Sequence, residues 1–174
     1  VGSAFVDSPL YGLPTRKTDE FIANGLGARH ATDIDRLIVV SMGTGTSFVK
    51  INGDEIQHIG GMGIGGGTLQ GLSRLLLKTH DIHQVADLAA KGDVARVNLQ
   101  IGDICNNALL DLPVSATASL FGKADSNASQ EDIACGIIYT VLQTIGGAAV
   151  LSALNSPVKD FVLIGNLTQL PQCR

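Results

Sequence analysis

Ten of the twenty-one glycines in this chain fall between positions 43 and 71. That crowding constrains the fold more than any other feature. A glycine inside a helix or strand costs roughly 0.5–1 kcal/mol relative to alanine, so a cluster marks places where backbone must turn or approach something closely. The first group, Gly43-Thr44-Gly45-Thr46-Ser47, follows the β-branched run Leu37-Ile38-Val39-Val40, which reads as a buried strand. The second, Gly60-Gly61-Met62-Gly63-Ile64-Gly65-Gly66-Gly67-Thr68, runs into Leu69-Gln70-Gly71-Leu72-Ser73-Arg74-Leu75-Leu76, which reads as a helix. Packing alone would account for one such group. Two of them, flanked by hydroxyls at a strand end and a helix start, point to an anion cradle, most simply for phosphate.

Neither group is a P-loop, because no Lys-Ser/Thr follows in the required order. Gly61-x-Gly63-x-x-Gly66 satisfies the dinucleotide pattern. It follows a hairpin strand instead of opening a βαβ unit, and no acidic residue stands where a ribose contact is expected.

The surrounding pattern sets these loops in an α/β frame. Ser47–Ile51 and Glu55–Ile59 alternate as strands around the turn Asn52-Gly53-Asp54, so residues 37–59 are expected to form a three-stranded meander. Residues 18–30 allow a helix with Asp19 and Glu20 in its first turn. Leu69, Leu72, Leu75 and Leu76 predict one apolar face after the triple glycine. Val85, Leu88 and Ala89 predict a short helix capped by Lys91-Gly92. Ile101, Ile104, Cys105, Ala108 and Leu109 predict another, ended by Leu112-Pro113. Ser129-Gln130-Glu131-Asp132 opens a long helix to about Leu154. Its core side would carry Ile133, Ile137, Val141, Ile145 and Ala148, with Gly146-Gly147 admitting a close neighbour. Phe161–Ile164 reads as a core strand.

Composition narrows the function. With 45% hydrophobic and 16% charged residues, the 174-residue chain has enough apolar material for a real core. A net charge of −4 with pI near 5.4 lacks the basic footprint of a nucleic-acid binder. Cys105, Cys135 and Cys173 form neither a disulfide framework nor a metal-binding pair, which fits a reducing, cytoplasmic setting and inert thiols. Glycines and polar residues interrupt the apolar run from Ile133 to Leu154, against a membrane span.

The order Glu20-Phe21, Gly25-Leu26-Gly27, Gly43-Thr44-Gly45-Thr46-Ser47, and Ile59-Gly60-Gly61-x-Gly63-x-Gly65-Gly66-Gly67-Thr68-x-Gln70-Gly71-Leu72 resembles the type II pantothenate kinases. Lys91-Gly92-Asp93, Ala118-x-x-Phe121-Gly122 and Val162-Leu163-Ile164-Gly165-Asn166 extend the likeness to about residues 18–168. It implies a ribonuclease-H-like lobe of the sugar kinase/actin/heat-shock chaperone superfamily. Residues 1–36 would end an N-terminal lobe and carry the catalytic helix, and 37–174 would form an incomplete C-terminal lobe.

The resemblance further implies transfer of the γ-phosphate of ATP, with Mg²⁺, to pantothenate in coenzyme A synthesis, by a homodimer. Alternatives are a kinase of another small alcohol and an ATP-binding regulatory homologue. Glu20, or Asp19 beside it, would be the base. Thr44, Ser47 and His58 would contact substrate. Gly43, Gly45, Gly63, Gly65, Gly66, Gly67, Thr68, Gly165 and Asn166 would surround the nucleotide, with N–H groups of Gly65–Gly67 on its phosphates. His58 stands where the family usually has an arginine, and it cannot make a guanidinium's two-pronged contact. His30, His80 and His83 read as surface residues. The family's first phosphate loop and its terminal segment have no counterpart here, so a fragment inactive by itself is expected.

Overall fold

A computed structural model of the chain describes residues 11–105 and 112–173. By packing, the described residues divide into two units. One lies within Val1–Ser41, Ser47–Gly61 and Ala149–Ile164, the other within Met42–Thr46, Met62–Ala148 and Gly165–Arg174.

The first unit is a helix on a sheet. Helix α1, Glu20–Thr32, starts where the Asp19 carboxylate accepts N–H bonds from Phe21 and Ile22 at 2.9 and 3.1 Å. Such a cap contributes about 1 kcal/mol. It stops at Asp33, whose left-handed backbone (φ 57°) lets its N–H reach the Arg29 carbonyl. Strands β1 (Arg36–Met42), β2 (Thr46–Asn52) and β3 (Glu55–Met62) form the expected meander. The two-residue turn between β2 and β3 permits only antiparallel neighbours, and Gly53 there takes φ +62°.

The sheet runs β3-β2-β1-β6. β6, Asp160–Ile164, lies parallel to β1 with Val39 opposite Val162, so the sheet is mixed. Leu37, Ile38, Val39 and Val40 are all fully buried, and since successive residues face opposite sides, β1 is covered on both faces. Leu37, Val39, Val49, Ile51 and Ala28 of α1 form one core cluster, joined by Phe21, Ile34, Ile56, Val162 and Ile164. β6 ends the order of the described strands; Phe161 and Leu163 are 37% and 47% exposed and Val162 and Ile164 only half-buried, so the expected core strand is partly covered on one face.

The second unit is mostly helical. Helix α2, Gly66–Leu76, opens at the triple glycine, as expected, but buries a different face. Leu69, Ser73 and Leu77 are inside, whereas Leu75 and Leu76 are exposed, because the core row follows i, i+4 from Leu69. Helix α3, Ile82–Ala89, is capped by the Asp81 carboxylate. Its C-cap is Ala90 in an ordinary right-handed conformation, so Gly92 is not the helix cap. A Cβ at Gly92 would collide with the Glu131 carbonyl, and the next N–H, of Asp93, donates to the Asp132 carboxylate at 2.8 Å. That bond, with a second from Ser129, holds the Asp132 carboxyl below its ordinary pKa. Lys91-Gly92-Asp93 is thus a joint against the start of the long helix.

Strands β4 (Leu99–Gln100) and β5 (Thr117–Ser119) pair antiparallel, and helix α4 is only Ile101–Ile104. Cys105 follows in extended conformation, which corrects its expected helical place; Ala108 and Leu109 lie outside the described residues. Helix α5, Gln130–Ala153, contributes residues to both units. Ala134, Ile137, Ile138, Val141 and Ile145 are buried along it. By length and composition α5 could cross a membrane, and 39% of its most apolar stretch is buried within the chain. Ile133 and Ala148 are only half-buried. No described atom lies within 4 Å of where a Cβ would stand at Gly146 or Gly147. The glycine that admits a close neighbour is Gly136, against Phe121 and Val97. Cys135 is half-buried on α5, and desolvation pushes its thiol pKa up, away from reactivity.

Candidate nucleotide site

The two glycine loops are bonded to one another inside the second unit. The N–H groups of Gly66 and Gly67 donate to the carbonyls of Gly43 and Thr44 at 2.8 and 2.9 Å. The Gly65 N–H reaches the Thr68 hydroxyl at 3.3 Å, and that hydroxyl donates to the Gly63 carbonyl. Buried Thr46 adds a bond to the Ile64 carbonyl at 2.8 Å. The first loop therefore caps the N-terminus of α2. This corrects the expectation that the N–H groups of Gly65–Gly67 are offered to phosphates: all three are engaged within the loops.

The glycines follow from that embrace. A Cβ on Gly65 would lie 2.7 Å from the Thr44 carbonyl oxygen, and one on Gly45 2.8 Å from that of Met62. At Gly66 and Gly67 the corresponding closest approaches are 3.1 and 2.9 Å. Gly165 takes φ +100° beside the Met42 backbone, a conformation and a proximity that both favour glycine.

The zipped loops form one wall of a cleft of about 570 Å³, within the range of small-molecule sites. Gly43, Thr44, Gly66, Gly67 and Asn166 line it, all five anticipated from sequence. Gly45, Gly63, Gly65, Thr68 and Gly165 are not among the lining residues; all but Gly63, which no packing constrains, frame the loops. The rest of the lining is Gln70, Ile82, His83, Leu167, Gln169, Leu170 and Pro171, to which the sequence reading gives no role. Gln70 follows from helical spacing, since it is one turn beyond Gly66; His83, taken for a plain surface residue, is exposed but borders the cleft. Among the described residues no carboxylate lines the space. Amides and a hydroxyl next to apolar side chains suit a ligand with a polar end and a flat, partly apolar end.

The other anticipated residues belong to the first unit. Glu20 is the first residue of α1, at the surface. Asp19 is occupied as the cap of that helix. Ser47 is half-buried on β2. His58, on β3, is stacked on Phe21 with ring centroids 4.0 Å apart and planes 19° from parallel. Among the described residues no group of three or more His, Cys, Asp or Glu converges as a metal site.

The Fumble family model matches residues 26–172. A type II pantothenate kinase of Bacillus anthracis is 33% identical over 156 residues, covering 85% of this chain and 56% of the relative. Pantothenate kinase 2 of Arabidopsis thaliana is 31% identical over 137 residues, 73% of this chain and 15% of the relative. A mouse 4'-phosphopantetheine phosphatase is 38% identical over 122 residues, 67% of this chain and 15% of the relative. The chain thus spans about half the length of the Bacillus relatives it matches. Since the Fumble match takes in both glycine loops, the cleft and most of the sheet, the chain belongs to the Fumble family, that of the type II pantothenate kinases its motifs resemble.

Proposed function

We propose that the chain carries the nucleotide cleft and the catalytic carboxylate of a pantothenate kinase, which phosphorylates pantothenate from ATP. The observation that carries the reading is the cleft itself, walled by two interlocked glycine loops at the start of α2 and with no carboxylate among its described lining residues. In this reading Thr44 and Asn166 meet the polyphosphate, and Ile82, Leu167 and Pro171 face the base. Gly43, Gly66 and Gly67 shape the wall, while Gly45, Gly65, Thr68 and Gly165 hold its form. Mg²⁺ would come with the nucleotide and would supply neutralisation of phosphate charge beside Thr44 and Asn166. Thr44 and Ser47 meet the substrate; Phe21 takes one face of the His58 ring, so a substrate contact there would use the ring's edge.

Glu20 is the base. Its carboxylate takes the proton of the primary alcohol as that oxygen bonds to the γ-phosphorus, and the bond to the bridging oxygen breaks to release ADP. Asp19 is the other candidate, its carboxylate accepting two backbone N–H bonds. The mixed sheet is what one ribonuclease-H-like lobe would present. The reading includes a homodimer in the cytoplasm.

Transfer of label from radiolabelled ATP to pantothenate, with N-acetylglucosamine as a control alcohol, tests this reading in a full-length version of the enzyme and in its Glu20→Gln variant. Label on pantothenate, lost by about 10²-fold or more in the variant, is expected. Undiminished turnover in Glu20→Gln removes it as the base. A second reading, a nucleotide-binding module without chemistry of its own, is favoured by the 122-residue match inside the mouse protein named as a phosphatase. Calorimetric binding of MgATP without transfer to any alcohol would establish that reading instead.

A further inference from the structure

Helix α1 is fastened to the β2–β3 hairpin at three points spaced one helical turn apart. Phe21 stacks on His58. Gly25 receives Ile56, whose Cγ2 lies 2.8 Å from where a glycine Cβ would be. The Arg29 guanidinium donates to the Gly53 carbonyl at 2.7 Å and to the Asp54 carboxylate at 3.3 Å. Positions 21, 25 and 29 on the helix thus meet 58, 56 and 53–54 on the hairpin, in opposite directions. Four residues of helix advance about 6 Å and two residues of strand about 6.7 Å, so the two ladders stay in step.

The two lower fastenings are independent of His58. At the top, Asp19 caps the helix locally. Phe21 touches the core cluster on one side and His58 on another. Gly25 and Gly27 each weaken the helix by about 1 kcal/mol relative to alanine, so α1 depends on such tertiary anchors for its position.

We infer that His58 is a positioning residue: its ring clamps Phe21, and through Phe21 it fixes the first turn of α1 and the adjacent Glu20. The inference rests on the reading of Glu20 as base. A substrate contact through the imidazole nitrogens needs the ring's edge; a clamp needs only its face. The two roles therefore separate in His58→Phe, which keeps a flat ring and removes the nitrogens.

Amide hydrogen exchange and steady-state kinetics of a full-length version of the enzyme and of its His58→Ala and His58→Phe variants form the test. In His58→Ala, first-turn amides of α1 exchange about fivefold faster, in line with loss of one aromatic pair. Amides of β1 stay unchanged, which shows that the fold persists. Turnover falls with little change in KM for the alcohol, and His58→Phe restores both exchange and turnover. An unaltered first turn in His58→Ala overturns the inference, as does a raised KM that His58→Phe fails to rescue. Glu20→Gln, run in parallel, keeps the two readings apart. Full turnover there removes the base while the exchange result still reports on the clamp.

Discussion

Gly65 and Gly146 are the same residue in two regions that ask different things of it. At the loop junction a hydrogen is all that fits between Gly65 and the backbone of Thr44 and Gly45. On α5 a side chain at Gly146 would meet nothing within 4 Å. The first glycine is a steric requirement of two backbones bonded to each other. The second only forgoes helix propensity. Glycine content by itself therefore says little; what matters is whether the obstacle is backbone, side chain or empty space.

Three substitutions would break or sharpen that contrast. The largest effect is expected for Gly65→Ala, whose methyl would lie 2.7–2.8 Å from three backbone atoms that have no rotamer to change. The loops must part, at a cost of about 3 kcal/mol. Denaturant unfolding should show that loss, and MgATP binding by calorimetry should vanish with it. Unchanged binding would mean that the interlocked loops do not form the cleft wall. Gly136→Ala comes next: its methyl would meet the Phe121 ring and Val97 Cγ2 at 2.8 Å. Side chains can yield where backbone cannot, and alanine regains about 1 kcal/mol of helix propensity. A net loss of about 1–2 kcal/mol in the same unfolding measurement is expected. The smallest effect has the opposite sign. Gly146→Ala should raise stability by about 0.5–1 kcal/mol, read as a modestly higher melting temperature. A drop there would reveal a neighbour that the described residues do not include.

The contrast also explains what could be read from sequence. The meander, α1 and α5 were legible because Leu37–Val40, the Asn52-Gly53-Asp54 turn and the Ser129 cap act locally. The cleft was legible in part, because Gly43, Thr44, Gly66, Gly67 and Asn166 sit at strand ends and a helix start. Gln70, His83 and Leu170 were not, since no local pattern says that they face the same space. Nor could spacing show that the Gly66 and Gly67 N–H groups are already taken by Gly43 and Thr44, a matter of tertiary approach. The α2 face was misjudged for a related reason. Leu75 and Leu76 are as apolar as Leu69, and only packing determines which leucines are left outside.

The parallel pairing of β1 with β6 has a consequence in time. Val39 and Val162 are neighbours across the sheet but more than a hundred residues apart along the chain. At a synthesis rate of about 5–20 residues per second, the meander emerges on the order of ten seconds before the strand that covers its open side. During that interval β1 presents a bare edge of unpaired N–H and C=O groups on the most apolar strand of the sheet, the kind of edge that invites pairing with another chain. Folding that waits on so distant a contact is slow. The nascent chain is therefore most exposed to association just where the finished sheet is best buried.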